Sequence, residues 1–305
     1  MRTRNLKNIL IFLSLPLLLF YSCDTPNKSI ETPVVKNAES KVEKIRELGK
    51  LVAVTDYNST NYFVYKGEPM GYQYELLRSL ADYLGVKLEV IVSNDLEETF
   101  KYLKDGDCDI IAVNLTVTKE RSKLVSFTKP HSQTRQVLVQ RKPEGWKKMR
   151  KRELESVLIR NPLELSGKTI YVHESSSFHQ RLINLQEETG QKFDIRLASG
   201  DVDAETLIRM VAEGLIECTV ADENVALLNQ TYYSDLDVKT SLSFSQQIGV
   251  GMWLTADSLQ AVFNMWLQKN SVKQRRAYLY DKYFRAVKDQ KDRVFSEYSS
   301  LKGNQ

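Results

Sequence analysis

The sequence has few of the residues that most often carry chemistry. Its 305 residues include 3 cysteines, 3 histidines and 3 tryptophans. His131, His173 and His179 show no metal-ligand spacing of the HExxH kind, so no metal site is expected. There is no glycine-rich phosphate loop and no nucleophile elbow, and no cofactor is expected. Basic residues form no stripe interleaved with aromatics, and 43 cations against 39 anions leave a net charge of only +4. Nucleic acid is therefore set aside as a partner. The apolar run from Ile9 to Tyr21 is too short to span a bilayer comfortably. With 42% hydrophobic and 27% charged residues, the composition is that of a globular protein with room for two cores.

What is present begins at the N-terminus. Arg2, Arg4 and Lys7 precede the apolar run, which ends Leu19-Phe20-Tyr21-Ser22-Cys23. A small residue and then Cys after such a run resembles a bacterial lipoprotein signal, cleaved before Cys23, with lipid on the cysteine. The alternative is a plain secretory signal followed by an incidental Cys. On the preferred reading residues 1–22 are a signal peptide and residues 23–40 a polar tether containing Pro26 and Pro33. The leader carries three cations and no anion, so the mature excess falls from four to one. The expected location is the cell envelope, with a lipid anchor in a bacterial membrane and the protein facing the periplasm. The outer membrane is preferred to the inner. Cys108 and Cys218 each start an apolar strand and read as small buried residues, not as a disulfide.

Periodicity then gives an α/β order. Lys41–Leu48 is a short helix stopped by Gly49, and Lys50–Thr55 a strand. An aromatic loop runs from Tyr57 to Met70. Tyr72–Leu84 carries a helical apolar stripe closed by Gly85. Val86–Val92 alternates as a strand, Asp95 with Glu98 opens a helix to Lys104, and Ile110–Val113 is a buried strand. The pattern recurs with strands at Val137–Gln140, Lys168–Val172, Phe193–Leu197 and Glu217–Ala221. Helices lie at Phe178–Glu188, Ala204–Glu213 and Glu223–Gln230. The basic segment Trp146–Arg160 reads as a solvated helix. The chain returns near Gly249–Leu254 and ends in helices Asp257–Lys269 and Val272–Phe284. Short connections of this kind predict parallel sheets covered by helices.

The stretch Asn114–Pro130 carries the chemistry. Thr118 reads as an N-cap, with Lys119-Glu120-Arg121 as the first turn of a helix. A cation there opposes the helix dipole at a cost of about 0.3–1 kcal/mol. That misfit points to an anion arriving from outside, met by Arg121 and the hydroxyls of Thr116 and Thr118. The bland alternative is a solvated Arg121 beside ordinary strand and cap threonines. Asp222 ends a strand and is either an N-cap or a carboxylate that receives an ammonium group. Ser175, Ser176 and Ser177 are either further donors or an ordinary loop. An Arg and an Asp at strand ends of different lobes can hold the two charges of a zwitterion. Tyr57, Tyr62, Phe63 and Tyr65 are either walls or core packing.

These residues resemble the type 3 family of periplasmic solute-binding proteins. The resemblance runs from about residue 48 to 285 and rests on GYQYELLRSLADYLGVKLEV (71–90), TVTKERSKLVSFTKP (116–130), LSGKTIYV (165–172) and VADEN (220–224). It implies a type II periplasmic binding protein fold, α/β and two-lobed, each lobe a mostly parallel sheet flanked by helices. Lobe one comprises residues 41–135 with 248–285, lobe two residues 136–247, and residues 286–305 form a tail. Hinges fall near His131–Gln136 and Ser245–Gly249. The resemblance implies that Thr116 and Arg121 meet a ligand carboxylate, with Asn114 helping through its backbone, and that Asp222 takes the ammonium. Asp56, Tyr62, Ser175 and Ser176 complete the candidate set. Asn61-Tyr62 replaces the family's Pro-Phe pair and Ser175-Ser176 its Gly-Thr. Both departures weigh against a simple free amino acid.

YELLRSLADYLGVKL, IRNPLELSGKTIYV and the tail RVFSEYSSLKGNQ further resemble the binding half of the membrane-bound lytic murein transglycosylase F family. Of the matches to that family's Glu-Ser motif, His173-Glu174-Ser175 is the tempting one. It follows a strand and lacks the family's later motifs, so no catalytic residue is assigned and no enzyme is expected in this chain. The implied function is a lipid-anchored module that closes on an amino acid or muropeptide-like ligand and serves as a sensor. A transglycosylase domain or a permease is its implied protein partner. The alternatives are the receptor of an ABC amino-acid transporter and a truncated transglycosylase.

Overall fold

The computed structural model describes residues 40–174, 176–198 and 202–285. The expected signal peptide, Cys23, nearly all of the tether, Ser175 and the tail 286–305 lie outside the described residues.

Helix α1 (Lys41–Leu48) leads into strand β1 (Lys50–Thr55). A hairpin follows, β2 (Phe63–Tyr65) and β3 (Glu68–Met70), and then α2 (Tyr72–Leu84), β4 (Lys87–Val92), α3 (Leu96–Asp105), β5 (Ile110–Ile111) and β6 (Ser126–Phe127). The crossing strand β7 (Ser132–Thr134) precedes β8 (Gln136–Arg141), α4 (Lys151–Val157), β9 (Thr169–His173), α5 (Ser177–Thr189), β10 (Asp194–Ala198), α6 (Ala204–Glu213), β11 (Cys218–Asp222), α7 (Glu223–Tyr232) and β12 (Leu236–Ser241). The return crossing, β13 (Gln246–Ile248), leads to β14 (Gly251–Met252), α8 (Asp257–Gln268) and α9 (Asn270–Tyr280).

Two five-stranded sheets result, ordered β4-β1-β5-β14-β6 and β10-β9-β11-β8-β12. In the first, β4, β1 and β5 run parallel and β14 returns antiparallel to β5. In the second, β10, β9 and β11 run parallel and β8 is antiparallel to both β11 and β12. This is the expected α/β fold of two lobes with mostly parallel sheets. The two crossings pair antiparallel, with Gln246 opposite Thr134 and Ile248 opposite Ser132.

Both sheets are covered on both faces, because successive side chains of a strand point opposite ways. Ala53 and Ile110 face the cluster built on Leu76, Leu77 and Leu80 of α2 with Phe263 and Trp266 of α8. Val54 and Ile111 face the other way, onto Leu103, Leu115 and Val125. In the second sheet Val137 and Val139 meet Leu207, Ile208 and Val211 of α6, while Leu138 meets Leu182 and Leu185 of α5. Each fully buried Leu or Ile contributes about 1.5–3 kcal/mol. Cys108 and Cys218 are free and buried inside these layers, and burial pushes both thiols up to about 12.

Several local expectations need correction. The stretch after Thr118 is one 3₁₀ turn, Arg121–Lys123, not a helix, because the chain turns at once into β6. The aromatic loop contains the β2–β3 hairpin, turned by Lys66 and Gly67 at φ of 51° and 82°. The basic segment forms a 3₁₀ turn at Trp146–Lys148 and then the short α4. β12, absent from the sequence reading, is an edge strand beside β8.

Candidate functional site

The parallel strands of both sheets end at one cavity of about 200 Å³. Asp56, Ser93 and Asn114 follow the ends of β1, β4 and β5. Across from them stand His173 and Asp222, the last residues of β9 and β11. Ser176, Ser177 and Asp203 line it from the starts of α5 and α6. Ligands of open α/β sheets bind at such C-terminal strand edges. Leu96, Val113, Phe178 and Val225 supply apolar wall.

Arg121 reaches this cavity from the 3₁₀ turn. Thr118 Oγ1 accepts its backbone N–H at 3.2 Å, so Thr118 does the work of a cap although no helix follows. The Arg121 guanidinium donates to the Thr116 carbonyl at 3.3 Å. Burial lowers its pKa, and the charge of Asp222 opposes that shift. The guanidinium is therefore a desolvated cation facing a desolvated anion of the other lobe.

Asp222 occupies the N-cap position of α7, yet its side chain makes no cap hydrogen bond. It is 8% exposed, and its Oδ1 is buried without a hydrogen-bond partner. The bland N-cap reading fails on this geometry. Burial pushes its pKa up to about 7, Arg121 pulls the other way, and Asp56 adds to the rise. An unpaired carboxylate oxygen held out of water is costly unless a cation or donor arrives.

Asp56 is held by two side-chain amides. Asn61 Nδ2 donates to its Oδ1 at 2.7 Å, and Asn58 Nδ2 donates to its Oδ2. Burial raises its pKa to about 6, against these hydrogen bonds, and the nearby Asp203 adds to the rise. Asp203 also caps α6, accepting the Thr206 N–H at 2.8 Å.

Of the candidate residues, Asp56, Asn114, Arg121, Ser176 and Asp222 come together on the cavity. Thr116 and Tyr62 are set back from it. Thr116 is buried and pairs with Ile248 at the return crossing. Tyr62 packs edge-on between Tyr57 and Tyr74, with ring centroids 6.2 and 5.7 Å away. Tyr57, not Tyr62, reaches the cavity wall. Glu174 is exposed in the turn after β9. Among the described residues no group of His, Cys, Asp and Glu is arranged to hold a metal, and no helix is long and apolar enough to cross a membrane.

Sequence reasoning missed Asp203, Glu205 and Ser59. Glu205 of α6 accepts both the hydroxyl and the N–H of Ser59, which lies beyond β1 in the other lobe. The only local signal was an Asp-x-x-Thr helix start at Asp203, which reads as a cap.

Comparison with known proteins agrees with this architecture. A membrane-bound lytic murein transglycosylase F from Desulfosudis oleivorans is 31% identical over 245 residues, covering 80% of this chain and 50% of that protein. A protein of the same name from Aeromonas salmonicida is 31% identical over 252 residues, covering 82% and 48%. The chain thus spans about half the length of the curated relatives it matches. Among solved structures, an ancestral amino acid-binding protein, a precursor of cyclohexadienyl dehydratase, superposes with a TM-score of 0.67 at 22% identity, covering 80% of this chain and 100% of the other. The substrate binding protein of an amino acid ABC transporter gives 0.64 at 21% identity, covering 78% and 100%. Residues 50–286 match the model of one family, and the chain belongs to it: the bacterial extracellular solute-binding proteins, family 3.

Proposed function

We propose that the chain is the ligand-sensing module of an envelope protein of the lytic transglycosylase F type, closing its two lobes on a small zwitterion. The observation that carries this reading is the facing pair of Arg121 and Asp222. They come from different lobes, both are desolvated, and Asp222 Oδ1 is buried without a partner. A ligand carboxylate on Arg121 and an ammonium on Asp222 would satisfy both charges at once. Ser176 and Asn114 line the same cavity. The ligand class is an amino acid or a muropeptide-like fragment. Binding and closure are one equilibrium, because the closed form is favoured by contacts that exist only when both lobes touch the ligand.

The sensor role is supported by similarity to transglycosylases over about half their length. The lipid anchor at Cys23, with an envelope location, is part of the same proposal. A second reading, the receptor of an amino-acid transporter, draws on the fold shared with such a receptor.

A thermal-shift screen of the chain against amino acids and peptidoglycan stem peptides separates them. A ligand at 100 times its Kd stabilises the fold by about 2.7 kcal/mol. A shift with stem peptides alone supports the sensor, and a shift with one free amino acid supports the receptor. No shift with either set contradicts the zwitterion site.

A further inference from the structure

We propose that the basic pole of lobe two, residues 141–152, is a docking surface for the anionic phospholipid headgroups of a bilayer face. The inference goes beyond the zwitterion reading above and does not rest on it.

The positive charge of the chain is concentrated at this pole. Residues 141–152 read RKPEGWKKMRKR, with seven cations and one anion. The whole chain has an excess of only four cations, so the remainder is net acidic. The segment also lies away from the cleft. β8 starts at Gln136, opposite Asp222 of the cavity, and ends at Arg141, opposite Leu236. Five residues of strand carry Arg141 about 17 Å from that edge.

A charge run is often no more than a solvated face, and two observations separate this one from that case. First, its cations are unmatched. Lys147, Lys148, Arg150, Lys151 and Arg152 are all exposed, and among the described residues no ion pair joins them to a carboxylate. Cations further along the same lobe are matched. Arg160 holds Glu155 and Asp237, Lys168 holds Glu217, and Lys239 reaches Glu155 at 3.6 Å. Lys151 and Arg152 stand in the first turn of α4, the end at which the helix dipole disfavours a cation. Second, the base of the segment is fixed. The Lys142 backbone N–H donates to the Asp235 carbonyl at 2.7 Å, and its Nζ to the Ser234 carbonyl at 2.7 Å. The Trp146 indole N–H donates to Asp235 Oδ1 at 2.8 Å, and the Lys142 ammonium lies 4.0 Å from the centre of the Trp146 ring. The turn is thus ordered before any partner arrives, which lowers the entropy lost on contact.

The chemistry of the partner follows from the surface. The chain belongs to an extracellular family, so the polyanions it meets are those of the envelope and not nucleic acid. A headgroup plane presents many phosphates over an extended area, and clusters of about four to eight Lys and Arg are what such a plane attracts. Trp146 and Met149 sit half-buried among the cations. An amphipathic indole is at home at headgroup level, which a dissolved polyanion does not offer. An open hollow of about 320 Å³ among Lys142, Trp146, Lys147 and Lys148 gives a headgroup phosphate a seat, with Glu144 and Asp235 as its acidic members. Asp235 is engaged there by Trp146.

The test is flotation of the full chain with phosphatidylcholine vesicles, with and without phosphatidylglycerol, at low and at physiological salt. The quantity read is the ratio of binding to anionic and to neutral vesicles, to which an apolar anchor on the chain adds nothing. We expect anionic vesicles to be preferred at least about tenfold at low salt, and less as salt rises. Lys147→Gln, Lys148→Gln, Lys151→Gln and Arg152→Gln together should remove most of that preference and leave the melting temperature unchanged. Lys44→Gln, Lys87→Gln, Lys101→Gln and Lys273→Gln together remove the same charge from exposed positions of lobe one and should keep it. Equal binding to both vesicles, an undiminished preference in the folded lobe-two variant, or an equal loss in the lobe-one variant would each overturn the proposal. Peptidoglycan sacculi serve as the second polyanion. Salt-sensitive binding to sacculi that the lobe-two variant loses, with no preference for anionic vesicles, would also overturn it and give the pole to the wall.

Discussion

Ser59 and Glu205 join the two lobes. The Ser59 hydroxyl donates to Glu205 Oε1 at 2.5 Å and its backbone N–H to Oε2 at 3.2 Å. Both residues are buried, at 6% and 7% exposure. The carboxylate is anchored on α6 and the donors on the loop after β1, so the contact exists only while the lobes are together. Asp56 and Asp203 lie a few residues along on either side, and the charge of Asp203 adds to the raised pKa of Asp56.

Removing the latch should therefore weaken ligand binding. Glu205→Ala is expected to lower affinity by about tenfold, the worth of a hydrogen bond to a charged group. Calorimetry would read the affinity, and small-angle scattering a larger radius of gyration. Ser59→Ala in the same background should add little, because both changes remove one contact. Full additivity would show that the two residues act separately.

The raised pKa of Asp222 gives a pH dependence of definite sign. Its pKa rises from 3.8 to about 7 on folding. The native state therefore holds a proton that the unfolded chain has lost between those values. Stability from this group falls as pH rises across that window, and it is lowest once the buried carboxylate is charged. Asp56, raised from 3.8 to about 6, acts in the same direction. His131, buried with neither ring nitrogen partnered and lowered to about 4, acts the opposite way. The difference between variant and wild type isolates Asp222. Asp222→Asn should stabilise the ligand-free protein by about 1–3 kcal/mol at pH near 8 and by little at pH near 4. Denaturant unfolding at both pH values would measure it. In the wild type, zwitterion affinity should climb as pH rises toward about 7, because the ligand's ammonium needs the charged form.

Gly71 fixes the wall that carries Asp56's partners. It sits at φ of 131°, and a Cβ there would lie 2.2 Å from the Asn61 carbonyl oxygen. Its N–H donates to the Tyr283 hydroxyl at 3.0 Å, tying the aromatic loop to the C-terminal segment. Gly71→Ala should cost about 3 kcal/mol or more, from backbone strain and overlap together. Chemical denaturation would show it, and binding should weaken as Asn61 is displaced. A variant as stable as wild type would contradict the assigned geometry.

Much of the fold could be read from the chain because its signals are local. Gly85, Gly106, Gly190 and Gly214 close helices in the left-handed conformation, at φ of 75°, 83°, 67° and 77°, where a side chain would be strained. The apolar stripe of α2 places itself on the core by period alone, and the short continuous apolar run of β8 marks a strand buried on both faces. Thr118 shows the limit. Its capping chemistry is real, but the following Leu124 and Val125 turn into β6, so a start signal opened one turn and no helix. β12 escaped because its alternation is brief and broken by an irregular register opposite β8.

The site was legible where a residue type sits at a strand end and opaque where function depends on distant partners. Arg121 stood out as a cation in the wrong place for a helix dipole. Asp222 did not, since a capping and a ligand-facing aspartate look the same in sequence. Only the direction of its carboxylate separates them. Asp203 and Glu205 meet Asp56 and Ser59 across about half the chain, and nothing local to either segment records that meeting.

The central claim is that one zwitterion bridges Arg121 and Asp222. Calorimetry tests it most directly, on the wild type, Arg121→Ala and Asp222→Asn. The ligand is L-lysine or L-glutamine, whichever binds the wild type more tightly, with its α-amide and Nα-acetyl derivatives. Arg121→Ala should lose about 100-fold or more in affinity, as expected for one partner of a buried charge pair, while its melting temperature shows a folded protein. Masking the ligand carboxylate should cost the wild type as much and the Arg121→Ala variant almost nothing. Masking the ammonium should behave the same way with Asp222→Asn. A folded Arg121→Ala variant that binds the unmodified amino acid as tightly as the wild type would contradict the account.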